Sequence, residues 1–273
     1  MNLRDSCLPA GWYPRDPGEI KRFLGAYSEK SRDSQAVIAP HAGWFYSGRT
    51  AACALSALDR EADTIAVIGG HLPKGAPFLF ACESGVKTPF GVMEIDSELQ
   101  ESLGKQLGWK PDLYQDNTVE VLIPMAHYFF PNAKLLWARF PASIESCHAG
   151  AILAETAGKL GRSVVVAGST DLTHYGDNYG FSPAGKGEGA LAWVRDVNDA
   201  AFIKAVLSGD PRSVLSRAAE DSSACSAGAV LGAMGFAASA GAGTAELLDY
   251  RTSAEAAEGE VPDSFVGYAA IAF

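Results

Sequence analysis

The chain has 273 residues, enough for one large domain whose core needs neither disulfide nor metal to close it. Hydrophobic residues make up 48% and charged residues 20%, which excludes a disordered, collagenous or coiled-coil polypeptide. Thirty-two acidic against 22 basic residues give a net charge of −10, so neither nucleic acid nor a membrane surface is an expected partner.

Met1-Asn-Leu-Arg-Asp-Ser-Cys7 has no apolar run, and no secretory signal is expected there. The five cysteines are an odd number without any CxxC, which points to a reducing, cytoplasmic setting. The pattern predicts strands over 35–40, 64–69, 78–83 and 92–95, with a helix over 47–58 after the first. Asp96 reads as the cap of a helix reaching about Leu107. An apolar helix over 120–130, interrupted near Pro124, is followed by a strand over 134–140, a helix over 147–160 and a strand over 163–168. Helices over 190–207, 211–219 and 225–240 lead to closing strands over 246–250 and 265–273. The uncharged stretch Ser226 to Ala245 is long enough for a membrane but is built of Ala and Gly. It reads as a helix packed closely on a sheet. Apolar strands separated by helices predict a sheet covered on both faces, in a single α/β domain over 1–273.

Sheets of this kind bind ligands at the carboxyl ends of their strands. Three of the five histidines fall there: His41 after QAVIAP, His71 after TIAVIGG and His174 just beyond SVVVAGSTD. If those strands are parallel neighbours, the three imidazoles share one rim. His127 and His148 read as structural. Cys225 stands at the start of the Ala/Gly-rich helix, where the helix dipole favours a thiolate, either metal ligand or nucleophile. Cys7, Cys53, Cys82 and Cys147 suit small buried positions. Asp171, three residues before His174, can orient an imidazole or take a proton, and otherwise caps a turn. Glu120 is a second candidate carboxylate or a helix cap, and Tyr46 and Tyr175 are candidate phenol donors. There is no GxxxxGK[ST], no GxGxxG after a strand and no GxSxG, which removes the common nucleotide enzymes and serine hydrolases.

These residues sit in segments that resemble the Memo family, protein B of the AmmeMemoRadiSam system. Ala10-Gly-Trp-Tyr-Pro14 is similar to its AGSWYP opening, and Ile38-Ala-Pro-His-Ala-Gly-Trp-Phe-Tyr-Ser-Gly48 to its APHAGYxYSG segment. Asn117-Thr-Val-Glu-Val-Leu-Ile-Pro124 resembles HSLExxLP, Ser169-Thr-Asp-Leu-Thr-His-Tyr-Gly176 resembles SSDFSHYG, and Phe265-Val-Gly-Tyr-Ala-Ala270 resembles VVGYAA. Cys225-Ser-Ala-Gly228 matches the family's helix start in part, and Gly69-Gly-His71 and Asp116-Asn117 depart from its GPxH and Glu-His.

The resemblance implies a three-layer α/β fold with a central, mostly parallel or mixed sheet, related to class III extradiol dioxygenases. It implies His41, His71 and Cys225 as ligands of one metal ion, iron or copper, with zinc as another option. His174 and Asp171 would form an acid–base pair, with Glu120 and Tyr46 also at the catalytic site. In the dioxygenases a carboxylate completes the Fe(II) triad; here a thiolate stands in its place. The expected function is a metal-dependent, dioxygenase-like oxidoreductase acting on a small aromatic, catechol-like molecule, with AmmeMemoRadiSam proteins as partners. A metal- or peptide-binding adaptor without turnover is the alternative, and a Cys/His hydrolase is a third reading.

Overall fold

Along the central strands, alternate residues belong to two different cores, as the two-residue period of a strand requires. Val37, Ile65, Val67, Leu135 and Val165 face one core; Ile38, Ala66, Ile68, Leu136 and Val166 face the other. The computed structural model describes residues 2–27, 32–257 and 259–273. Among these, nine strands make one mixed sheet. Its order is His174–Gly176, Ser264–Ala272, Ala36–Ala39, Val164–Ser169, Thr64–Leu72, Lys134–Pro141, Phe78–Phe80 and Trp109–Pro111, with Glu246–Thr252 also paired to Ser264–Ala272. The four strands from Ala36–Ala39 to Lys134–Pro141 are parallel neighbours, and antiparallel partners flank them on both sides.

Helices Pro17–Gly25, Trp44–Ser56 and Ile123–Phe129 cover the first face through Ile20, Leu24, Leu55 and Met125. Helices Ser97–Leu107, Glu145–Leu160, Ala200–Leu207 and Ala227–Ala240 cover the second through Leu99, Leu153, Phe202 and Leu231. The architecture is therefore the expected three-layer α/β sandwich. No helix among the described residues is long and apolar enough to cross a membrane.

The Ala/Gly-rich segment is helical over Ala227–Ala240 and is buried from Ala227 to Ala237. It lies between the sheet and helix Glu145–Leu160, and its glycines are what let backbones meet. A β-carbon on Gly228 would sit 2.2 Å from the Pro141 carbonyl oxygen, and one on Gly235 1.9 Å from that of Cys147. From the opposite sides, a β-carbon on Gly150 would meet the Gly232 oxygen at 2.0 Å and one on Gly168 the Ala229 oxygen at 2.6 Å.

Several expectations shift in detail. The second helix begins at Trp44, three residues early, because Gly43 supplies the turn. The helix broken near Pro124 is two pieces, Asn117–Glu120 and Ile123–Phe129, with Pro124 in a first turn where its missing N–H costs nothing. Gly91–Glu94 leaves the main sheet and pairs with Gly85–Thr88, which joins Leu3–Arg4 in a small three-stranded sheet. The helix over 190–207 contains a π segment, Val194–Asp199. Cys7 and Cys82 are exposed, contrary to their reading as buried residues.

The glycine contacts predict opposite signs within one helix. Gly150→Ala should destabilise by about 3 kcal/mol, the upper end for overpacking, because its new methyl meets backbone. Gly158→Ala, exposed in the same helix with open space around it, should stabilise by about 0.5–1 kcal/mol. Urea midpoints at unchanged m-value measure both; equal effects would contradict this packing.

Candidate metal centre

Strand register sets the site. Ala39 pairs with Ser169 and Ile68 with Gly168, so three neighbouring strands end at nearly the same level. Pro40 then carries the chain to His41, and Thr170 carries it to Asp171. The third strand reaches His71 through a bulge: Gly69 pairs with Arg139 but Leu72 with Pro141, so one residue is extra. His71 takes φ +55°, a left-handed conformation that costs a non-glycine residue about 1–3 kcal/mol. The approach to it must be bare. A β-carbon on Gly69 would lie 2.2 Å from Thr118 Oγ1, and one on Gly70 2.4 Å from Ser226 Cβ. Cys225 arrives from the loop before Ala227–Ala240, where its N–H donates to the Asp171 carbonyl at 3.2 Å and the Ser226 N–H to Thr170 Oγ1 at 3.1 Å.

His41, His71 and Cys225 thereby offer three ligand atoms that all lie within 4.8 Å of one another. Cys225 Sγ is 3.3 Å from His41 Nε2, and the two imidazoles meet edge to face at 5.0 Å. Tetrahedral ligands bound at roughly 2.0 and 2.3 Å would stand about 3.5 Å apart, so this donor set fits one ion. Both histidines have the other nitrogen engaged, as metal-binding imidazoles require. His41 Nδ1 is 2.9 Å from Ser169 Oγ, and His71 Nδ1 is 3.0 Å from Asp116 Oδ2.

Charge in this group is set by burial on one side and pairing on the other. Burial opposes protonation of His41, but the charges of Asp171 and Cys225 outweigh it and raise its pKa. Burial likewise opposes charge on His71, yet hydrogen bonds to Asp116 and Cys225 push it up to about 10. For Cys225, burial would raise the pKa; the His41 charge and the hydrogen bonds from both imidazoles carry it well below the usual thiol range. Asp171 is raised by its burial, against the lowering effect of His41. Asp116, despite burial, is lowered by hydrogen bonds from His71 and Thr118 and by the Arg139 charge.

The cluster opens into a cavity of about 770 Å³ lined by Trp12, Phe45, Tyr46, Asn117, His174 and Tyr179, among others. Tyr46 is half-exposed at this lining, and Asn117 Nδ2 donates to the His41 carbonyl at 2.9 Å. His174 lines the same cavity. Its Nδ1 donates to the Leu172 carbonyl at 3.1 Å, so Nε2 is the nitrogen left to meet a ligand. Asp171, expected to orient His174, instead accepts the His41 N–H at 2.7 Å; among the described residues no hydrogen bond joins it to His174.

Glu120 is not brought to this cavity. Its buried carboxylate accepts from Ser6 Oγ at 2.6 Å, Cys7 N–H at 2.9 Å, Cys7 Sγ at 2.8 Å, Leu8 N–H at 3.1 Å and Tyr13 OH at 3.0 Å. It ties the N-terminal segment down. Tyr175 is also elsewhere, stacked on Phe265 with its hydroxyl donating to the Gly185 carbonyl. Ser169, Asp116 and Arg139 are the polar supports that sequence reasoning missed. The one available signal was Arg139, a charge inside the otherwise apolar run Leu135 to Phe140.

Fold and site together define a three-layer α/β protein with a His/His/Cys cluster at the carboxyl rim of a parallel sheet core. The family model for Memo-like proteins matches residues 4–272, and the chain belongs to that family. A MEMO1 family protein of Thermococcus kodakarensis is 30% identical over 290 residues, covering 99% of each chain. One of Pyrococcus abyssi is 32% identical over 267 residues, covering 93% of this chain and 91% of its own. A solved structure of an uncharacterized Escherichia coli K12 protein aligns with a TM-score of 0.46 at 11% identity, over 86% of this chain and 98% of that one.

Glu120 gives a pH test of its anchoring role. Burial raises its pKa, but the hydrogen bonds from Cys7 and Ser6 prevail and leave it below the ordinary 4.5. A carboxyl lowered in the folded state stabilises fully above its ordinary value and loses that contribution as pH falls through the folded value. Glu120→Gln should therefore lower the urea midpoint at pH 7, and the gap from wild type should narrow below about pH 4.5. Metal content should not change; its loss would put Glu120 back among the site residues.

Proposed function

We propose that this protein is a metal-dependent oxidoreductase acting on a small aromatic, catechol-like molecule. The observation that supports this best is the set of three ligand atoms, from three chain segments, within 4.8 Å of one another beside a cavity walled by aromatic rings. His41 and His71 would each offer Nε2, and Cys225 its thiolate. Iron or copper bound there would supply redox chemistry, and zinc a Lewis acid. His174, with Nε2 free, would take or return a proton of a bound hydroxyl. Asp171 would hold His41 in place through its backbone, and Tyr46 and Trp12 would flank the ring of the substrate. The free thiols and the lack of a basic patch are in keeping with a cytoplasmic protein that binds a small molecule.

One observation favours a second reading, a cysteine hydrolase: Cys225 Sγ lies 3.3 Å from His41 Nε2. A triad needs its carboxylate on the other imidazole nitrogen. Here His41 Nδ1 meets Ser169, and Asp171 Oδ2 lies 3.9 Å from the same Nε2 that faces the thiolate. That geometry suits a ligand better than a base.

Elemental analysis of anaerobically prepared protein should find about one ion per chain. Cys225→Ser should lose most of it, since a hydroxyl is a poor ligand for soft metals. His174→Ala should keep the ion while oxygen uptake with catechol falls about 100- to 10,000-fold. A wild-type protein that takes up no iron, copper or zinc would overturn the metal reading and leave the hydrolase. Loss of metal in His174→Ala equal to that in Cys225→Ser would make His174 a fourth ligand, in a closed site without turnover.

A further inference from the structure

Arg139 is a buried guanidinium, 4% exposed, on the strand next to the one that carries His71. Its Nε donates to the Gly70 carbonyl at 3.0 Å, Nη2 to Asp116 Oδ2 at 3.1 Å and Nη1 to Asp112 Oδ1 at 3.4 Å. The Asp116 oxygen it holds is the one that His71 Nδ1 reaches at 3.0 Å. The second Asp116 oxygen accepts the N–H and the hydroxyl of Thr118. The Thr118 hydroxyl in turn accepts the Gly70 N–H at 3.2 Å. Gly70 is thus gripped at both its N–H and its carbonyl, one residue before the left-handed His71. Arg139 thus holds the Gly70 carbonyl and Asp116 the His71 ring, and the two side chains are bonded to each other. Asp112 is anchored in its own right by Trp137 Nε1 at 2.9 Å, which fixes the far end of the guanidinium.

We propose that Asp116 and Arg139 are positioning residues for His71. Asp116 keeps His71 Nδ1 as a hydrogen-bond donor, which turns Nε2 toward Cys225 and His41. Arg139 holds Asp116 in register and clamps the bulge that lifts His71 out of the strand. His71 is left-handed and partly exposed; its ring meets that of His41 edge to face and its N–H donates to Ser226 Oγ at 3.3 Å, while Asp116 is the partner of its Nδ1. Carboxylates that accept from the outer nitrogen of a metal-bound histidine fix its ring and raise its basicity, and removing them typically weakens the metal about 10- to 100-fold. The effect on metal rests on the proposed function; the orientation of the ring does not.

Two measurements separate these layers. In metal-free protein labelled with [15N]histidine, the His71 Nδ1–H should be shielded from exchange and give a downfield ring resonance. That resonance should be assigned by its absence in His71→Ala, and it should vanish in Asp116→Ala. Its persistence in Asp116→Ala, or its absence from the wild type, would overturn the proposal whatever the metal chemistry. Zn(II) affinity by chelator competition then forms a cycle of Asp116→Ala and His71→Ala. Asp116→Ala should weaken binding about 10- to 100-fold in the native background and less than about 3-fold once His71 is gone. Equal losses in both backgrounds would mean a merely structural role and would also overturn it. If Asp116→Ala does not fold by circular dichroism, Arg139→Lys replaces it in both experiments. A single ammonium cannot reproduce the fork that spans Gly70 and Asp116, so the same resonance should broaden and the same affinity should drop about 10-fold. A wild type that binds no zinc, iron or copper but shows the resonance defeats the proposed function and leaves the positioning of His71 standing.

Discussion

The close approach of helix Ala227–Ala240 to the sheet on one side and to helix Glu145–Leu160 on the other is the constraint on which the rest depends. Even a methyl would push these layers apart at Gly150, Gly168, Gly228 and Gly235, where backbone oxygens already occupy the place of a β-carbon. Interiors are packed too densely to absorb such a shift locally. The contact therefore fixes where the start of the helix stands against the sheet. Cys225 and Ser226 ride on that start, and the loop of Thr170 and Asp171 is stitched to them by two hydrogen bonds. A packing requirement deep in the second core thus decides where the thiol stands.

The site that results is electrostatically costly and internally compensated. His41, Asp171 and Cys225 are drawn out of water, and each would suppress its charge if it stood alone. Together they offset the cost by pairing, which carries the Cys225 pKa below the usual thiol range. Around them lie fixed hydrogen bonds that choose which nitrogen of each ring is free. Ser169 does this for His41, Asp116 for His71 and the Leu172 carbonyl for His174. Three imidazoles with three different partners line one cavity. The protein's own hydrogen bonds hold the rings in place, which limits the reorganisation needed when an ion or substrate arrives.

Much of this was written in the chain itself. Apolar runs ending in Pro40-His41, Gly70-His71 and Ser169-Thr-Asp171 marked the carboxyl rim, because a strand buried on both faces must stop where polar residues begin. The Ala/Gly composition of 226–245 announced a close-packed helix, and the ordered Memo-like segments announced the family. Cys225 was legible from its place beside that helix, although the helix starts at Ala227 and Cys225 lies in the loop before it. The supports were not. Asp116 stands 23 residues before Arg139 and 45 after His71, and no local period links them. Glu120 read as a candidate acid because a buried carboxylate near an apolar helix has two explanations, and the N-terminal donors that decide between them are more than 100 residues away.

The sequence by itself determined the local physics: which segments are strands or helices, which residues can ionise or bind metal, and which helix can approach a backbone. Tertiary structure alone decided which strands are neighbours, hence that 36–39, 164–169 and 64–72 lie side by side and bring His41, Asp171 and His71 together. It also decided which nitrogen of each imidazole is free and which carboxylate serves the site. Those outcomes depend on contacts between residues far apart in the chain, and a one-dimensional pattern carries the preference of each residue but not the identity of its partner.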